Sequence, residues 1–208
     1  ARFAPLDAWF EVRAFPADDG LSVYFHDVTA RETVTREHRE SLAALQRLYA
    51  ISSDRERGFE AKLDAMFDVG RGYLDLPNAF LTRIEGDVQT IEAAAADPPL
   101  LAAGETCPLE EAYCGRTVEN DAVLTVVDAA AEGWADEPAY DRFELGTYVG
   151  GRVEVDGELY GTLCFADTEP RGEPFGDARR AFVALLTRWG SYELERGRAR
   201  ERIEREVR

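Results

Sequence analysis

A single lysine, Lys62, stands among 24 basic residues, and the only histidines are His26 and His38. Against 41 acidic residues this leaves a formal net charge of −17. Such a surface repels phosphate backbones and anionic lipid, so direct binding of DNA, RNA or a membrane is not expected. Two settings suit it: a high-salt cytoplasm, where counterions screen the self-repulsion, or an ordinary acidic mesophilic protein. No apolar run approaches the ~20 residues of a membrane span. The opening, Ala1-Arg2-Phe3-Ala4-Pro5, has neither an initiator methionine nor the apolar stretch of a signal peptide, and reads as a piece of a longer cytoplasmic protein. The three cysteines, Cys107, Cys114 and Cys164, form no CxxC, and their odd number argues against a secreted disulfide framework. Neither histidine lies near them in sequence, so no Cys/His metal site is expected. Walker, GxSxG, HExxH, kinase and cyclase motifs are all missing, so no catalytic residue is assigned in this stretch.

With 208 residues, 45% of them hydrophobic, there is room for one sizeable core plus appendages. Trp9 to Phe15 and Leu21 to His26 alternate as strands, and Pro16-Ala17-Asp18-Asp19-Gly20 supplies turn residues between them. A lone hairpin is marginal in water, so these strands call for a further pairing partner. Thr29-Ala30-Arg31-Glu32 fits a capping box, and the helix it opens carries Val34, His38, Leu42, Leu45 and Tyr49 at four/three spacing, a coiled-coil seam. Ser53-Asp54-Arg55-Glu56 predicts a second helix start, with Phe59, Leu63, Met66, Phe67 and Gly70 as its buried stripe and Pro77 as its stop.

Strands are predicted at 79–84, 88–93 and 123–128, and a hairpin at 148–155 and 158–167. Asp156-Gly157 is its turn, since both residues tolerate positive φ. Between these strands, Cys107 to Glu119 reads as a loop into a short helix, followed by a crossover bearing Trp134, Tyr140 and Phe143. The last helix places Phe182, Leu185, Trp189 and Tyr192 at heptad-like spacing, then runs on as a dense alternation of Glu and Arg.

The run Tyr113-Cys114 with Thr117, then Asp128, then Tyr148-x-Gly-Gly, then Asp156-Gly157-Glu158-Leu159-Tyr160-Gly161-Thr162-Leu163-Cys164-Phe165 resembles a GAF domain, in particular those of haloarchaeal multidomain sensors. The likeness spans roughly Ala43 to Tyr192. The first two strands, leaving through Asp27-Val28-Thr29, are similar to the end of a PAS domain. The resemblance implies an α+β fold: a GAF-like antiparallel sheet flanked by helices, with an N-terminal β-hairpin remnant of a PAS domain and long flanking signalling helices. The implied division is 1–28 for the PAS strands, 29–52 for a linker helix, 53–192 for the GAF sensor and 193–208 for the start of an output-linking helix.

A GAF domain senses rather than reacts. The resemblance implies a pocket lined by Tyr113, Cys114, Thr117, Trp134, Tyr140 and Tyr148, for a small molecule whose identity the sequence leaves unknown. The alternative is that these aromatics fill the core of a ligand-free domain. Cys114 is followed by glycine rather than histidine, unlike bilin-attaching GAF domains, and the crossover lacks the cyclic-nucleotide motif. Cys107 and Cys114 stand either as a redox-sensing pair or as two reduced, semi-buried thiols; Cys164, mid-strand, reads as core packing. The implied parent is a sensor histidine kinase. Alternatives are a regulator resembling the bacterio-opsin activator and a ligand-free dimerisation spacer. Both seams point to a parallel homodimer through the flanking helices.

Overall fold

The computed structural model describes residues 1–17 and 20–206. Asp18 and Asp19 of the predicted turn, and the last two residues of the predicted output helix, lie outside the described residues. The chain forms two compact units, Ala1–Ala43 and a larger one beginning at Ala44.

In the first unit a short strand β1 (Arg2–Phe3) pairs with β2 (Ala8–Ala17), which pairs in turn with β3 (Gly20–Asp27), all antiparallel. Edge-to-face contacts of Phe10 with Phe25 and of Phe15 with Tyr24 tie the hairpin diagonally. Yet Val12, Phe15, Leu21, Val23, Tyr24 and Phe25 remain exposed, as expected of strands that have not found a covering layer. Helix α1 (Thr29–Ser53) follows, and its start is not the predicted capping box. Asp27 Oδ1 accepts the Thr29 amide at 2.9 Å, and the Thr29 hydroxyl is taken by the Trp9 amide at 2.8 Å, so β2 rather than the helix claims that oxygen. The seam residues Val34, His38, Leu42, Leu45 and Tyr49 are all exposed, whereas Ala44 and Leu48 are buried in the core of the second unit.

The second predicted capping box also fails. Asp54 closes a local turn by accepting the Glu56 amide at 3.0 Å, and helix α2 (Phe59–Leu74) begins only after Gly58, with no side-chain cap. The chain then builds one six-stranded antiparallel sheet from β4 (Asn78–Glu85), β5 (Val88–Ala95), β6 (Thr106–Pro108), β7 (Leu124–Val126), β8 (Thr147–Val155) and β9 (Glu158–Asp167), in the order β6-β5-β4-β9-β8-β7. Asp156 and Gly157, at φ 55° and 80°, form the predicted turn between β8 and β9. Short helices α3 (Tyr113–Val118) and α4 (Pro138–Phe143) lie on the crossover from β6 to β8, and α5 (Asp177–Glu206) runs unbroken from the end of the sheet.

Because both faces of the sheet are covered, residues on both sides of its central strands β4, β8 and β9 are buried along most of their length. Ala79, Leu81, Val149, Val153, Leu163 and Phe165 point to the face shared with α2 and α5. Phe80, Tyr148, Cys164 and Ala166, on the alternate positions, point to the crossover side with α3 and α4. Lys62, the only lysine, is buried on the helical side, where its ammonium donates to the Ser52 carbonyl at 3.0 Å and pairs with Glu193 of α5 at 3.8 Å. It fastens the end of α1 to both α2 and α5.

On α5 the predicted seam divides between two faces. Phe182 is buried against Tyr73, and Trp189 stacks on Phe59 with ring centroids 5.9 Å apart. Leu185 and Tyr192, seven residues apart, are exposed. A sheet-packed helix needs one stripe for its own core, and that stripe takes two of the four positions.

Candidate functional site

The chain returns to the crossover face through α3, a six-residue helix without a side-chain cap. Tyr113, Cys114 and Thr117 face inward from it and are all buried. Tyr148 rises from β8 beneath them and is fully buried. Its phenol lies back over Gly150, where a Cβ would come within 2.8 Å of Tyr148 Cζ and 3.0 Å of Cys164 Sγ. Only glycine leaves that space, which accounts for the Tyr-x-Gly-Gly spacing.

Tyr113 is sandwiched, 4.7 Å from Trp134 and 5.2 Å from Tyr148 by ring centroid, and its hydroxyl donates to the Leu145 carbonyl at 2.7 Å. The Thr117 hydroxyl donates to the Tyr113 carbonyl at 3.1 Å, so it accepts from the Tyr148 hydroxyl 2.7 Å away. Tyr148 then offers its oxygen to Cys164 Sγ at 3.0 Å. Cys114 Sγ accepts from the Thr162 hydroxyl at 3.0 Å and lies 3.9 Å from Cys164 Sγ. The Thr162 hydroxyl is in turn 2.7 Å from that of Thr82 on β4.

The result is a buried polar cluster of two thiols and four hydroxyls inside an apolar shell. Burial, reinforced by the charge that Cys114 can carry, pushes the Tyr148 phenol well above its usual range, so it stays protonated. Burial also pushes Cys164 up, and its hydrogen bond to Cys114 adds to the shift. For Cys114 burial acts in the same direction, but the neighbouring Cys164 thiol and the Thr162 hydroxyl outweigh it and hold that thiol below its ordinary value.

Of the six residues expected to line a pocket, Tyr113, Cys114, Thr117, Trp134 and Tyr148 come together. They pack on one another. Tyr140, on α4, packs against the same apolar group from further out and is half-buried. Cys107, on β6, belongs to that group too, and burial raises its thiol, but the sulphur that meets Cys114 is that of Cys164. Cys164 packs in the core of this face as expected and is also bonded to Tyr148 and Thr162. Thr82, Thr162 and Cys164 were missed as site residues, although the pattern was visible. Thr162 and Cys164 are polar residues two apart in the buried middle of β9, hence on one face.

A cleft of about 510 Å³ opens on the outer side of α3, lined among others by Leu109, Ala112, Gly115 and Trp134. Arg116 and Glu137, 2.7 Å apart, form an ion pair at its wall.

The family model of the GAF domain matches residues 58–194. The chain belongs to the GAF domain family. Solved structures agree in fold. The GAF domain of an Acinetobacter phosphoenolpyruvate-protein phosphotransferase superposes with a TM-score of 0.61 at 16% identity, over 78% of this chain and 97% of that one. A free methionine-R-sulfoxide reductase from Neisseria meningitidis, solved with its substrate, gives 0.61 at 12% identity, over 79% and 93%. The chromophore-binding domain of a Stigmatella aurantiaca bacteriophytochrome gives 0.57 at 15% identity, over 93% of this chain and 71% of that one. No curated protein matches the sequence. In this GAF domain the helical face carries α2 and α5, and the crossover face carries the thiol–hydroxyl cluster. Among the described residues no helix is long and apolar enough to cross a membrane.

Proposed function

We propose that this GAF domain is the sensory module of a cytoplasmic signal-transduction protein, in which the state of the cluster beneath α3 sets the seat of α5. The observation that carries the reading is the two-sided use of β8. Tyr148 and Gly150 face the cluster, while the next residue, Gly151, faces α5 so closely that a Cβ there would lie 2.7 Å from Thr187 Cγ2. Further along β8 and its turn, Ser191 Oγ accepts the Glu154 amide and Glu195 Oε1 accepts the Asp156 amide, each at 3.0 Å. A displacement of β8 therefore meets α5 through the short Thr187 and Ser191 side chains as well as through Glu195.

Tyr148→Phe tests the relay, since it removes the hydroxyl bonded to Thr117 and Cys164 and touches nothing on α5. Amide exchange around Thr187 to Glu195 is expected to accelerate roughly threefold or more, with α2 unchanged. A change confined to α3 and β8 would sink the relay.

The parent we favour is a haloarchaeal sensor histidine kinase, with a regulator resembling the bacterio-opsin activator as the alternative; the downstream coding sequence distinguishes them by a phosphoacceptor helix or a helix-turn-helix. The N-terminal sheet fits the closing strands of a PAS domain. Its apolar side chains Val12, Phe15, Leu21, Val23, Tyr24 and Phe25 are exposed, as in strands taken from a larger sheet. The stacked, self-bonded Tyr113, Trp134 and Tyr148 favour a second reading, a ligand-free dimerising relay, over a standing pocket for a small molecule.

Leu185 and Tyr192 on α5, and Leu42, Leu45 and Tyr49 on α1, are the exposed apolar positions we assign to a second copy. Two protomers of charge −17 repel until salt screens them. Light scattering is therefore expected to show a monomer at about 0.1 M KCl and a doubled mass at about 3 M, where the screening length has shrunk to a few ångströms. Leu185→Glu should stay monomeric in both. A mass independent of salt and of this substitution counts against both the dimer and the halophilic setting.

A further inference from the structure

The polar cluster on the crossover face holds two thiols that neither the fold nor the β8 relay requires. Cys114 comes from α3 and Cys164 from β9, fifty residues later, and their sulphurs lie 3.9 Å apart, with the Thr162 hydroxyl 3.0 Å from the first and 3.2 Å from the second. A disulfide needs about 2.05 Å, so the two must close by about 1.9 Å. That distance is within reach of a side-chain rotation or a small descent of α3. Cys164 sits in the middle of the central strand β9, paired on both sides, and cannot yield. Helix α3 is a single short stretch with no side-chain cap, so the movable partner is Cys114.

We infer that Cys114 and Cys164 are the domain's oxidation site, a dithiol converted to a disulfide by hydrogen peroxide or a small organic hydroperoxide. This rests on the sensory reading above and names the input. In the first step the Cys114 sulphur attacks one peroxide oxygen. The O–O bond breaks, Cys114 becomes a sulfenic acid, and the other oxygen leaves as water, or as an alcohol from an organic hydroperoxide. In the second step Cys164 sulphur attacks the sulfenic sulphur, the S–S bond forms, and the hydroxyl leaves as water with the Cys164 proton. Two thiols are oxidised by two electrons and one peroxide is reduced. A dithiol reductant reverses the change by exchange.

The surroundings suit each step. The Thr162 hydroxyl donates to Cys114 Sγ and so favours its ionised form, while Cys164 keeps its proton beside the Tyr148 oxygen until the second step. Both thiols are buried, so the oxidant must be small and enter as α3 lifts. Ala112 and Gly115, on either side of Cys114, already line the outer cleft. Cys107 has no sulphur or hydroxyl partner of this kind among the described residues, and its raised thiol makes it the poorer nucleophile.

The test uses reduced protein, freed of reductant and treated with stoichiometric hydrogen peroxide, with thiols counted in denaturant and the cross-link mapped by mass spectrometry of peptides. Free thiols are expected to fall from three to one, with a Cys114–Cys164 peptide pair that dithiothreitol releases. Cys107→Ser should lose two thiols in the same way. Cys164→Ser should stop at a sulfenic acid on Cys114, trapped by dimedone. A cross-link containing Cys107, sulfinic acid without a disulfide, or three surviving thiols overturns the inference, and the unsubstituted protein alone can deliver any of these. Amide exchange on the oxidised protein separates the two ideas. A disulfide that leaves α5 unchanged upholds the site and defeats the relay. No disulfide, with α5 still responding to Tyr148→Phe, does the reverse.

Discussion

Gly161→Ala is expected to lower stability by about 3 kcal/mol or to prevent folding, at the upper end of what overpacking costs. Gly161 lies in β9 between two partners, opposite Arg83 of β4 and Val153 of β8. A Cβ there would overlap the Thr82 carbonyl oxygen and lie 2.6 Å from its carbonyl carbon and 3.1 Å from Arg83 Cα. Every one of these atoms is backbone, so no rotamer can relieve the clash. β4 must move away from β9, and the Thr82–Thr162 hydroxyl contact, together with the Thr82 bond to the Thr162 amide at 3.0 Å, goes with it. Thr82 also sits where the β4–β5 register shifts. Urea denaturation in concentrated KCl is the measurement, with Gly172→Ala, which meets open space, as the control. A midpoint for Gly161→Ala within about 1 kcal/mol of the native protein would show that the sheet centre is looser than described.

Tyr148→Ala is expected to cost 3–5 kcal/mol, the usual range for removing a buried aromatic ring, and to leave a cavity the shape of a phenol. The ring stacks on Tyr113, and its hydroxyl is shared between Thr117 and Cys164, so both packing and hydrogen bonds are lost. Tyr148→Phe keeps the ring and should cost only about 1–2 kcal/mol, the penalty for unpaired hydroxyl and thiol partners. Added phenol is expected to restore much of the stability of Tyr148→Ala, by about 2.7 kcal/mol at a hundredfold excess over its dissociation constant, and to leave the native protein unmoved. This outcome would establish that Tyr148 occupies the space in which a small aromatic molecule would lie. Equal stabilisation of native and variant by phenol, or a loss under about 1 kcal/mol, would mean that the tyrosine is not the filling of that site.

The two predictions bear on one another. If Tyr148 fills its own site, the domain's input cannot be simple occupation of a standing pocket, and the dithiol beside it becomes the group best placed to change state. That change would bear on α3, on Tyr148 and on β8, whose opposite face holds α5.

The sequence by itself determined what short-range chemistry can determine. Runs of strand-forming residues between turn signals set the strands of the sheet, and Asp156-Gly157 set the β8–β9 hairpin through its positive φ angles. The run from Tyr113 to Phe165 carried the family, and Tyr148-x-Gly-Gly marked the strand that serves both faces. Local signals failed where a distant group competed for the same atoms. Thr29 was to cap its own helix, but the Trp9 amide took its hydroxyl. Ser53 was to begin a helix, but Asp54 bonded the next turn and Gly58 delayed the start to Phe59. The heptad-like quartet of α5 was split because Phe182 and Trp189 were needed by the core, leaving Leu185 and Tyr192 outside. Only the tertiary structure decided that the lone lysine is buried between three helices, and that Cys114 meets Cys164 rather than the nearer Cys107. Those partners are fixed by strand register and by the path of the crossover over the sheet, which bring together residues fifty positions apart, and no periodicity within a single element encodes that distance.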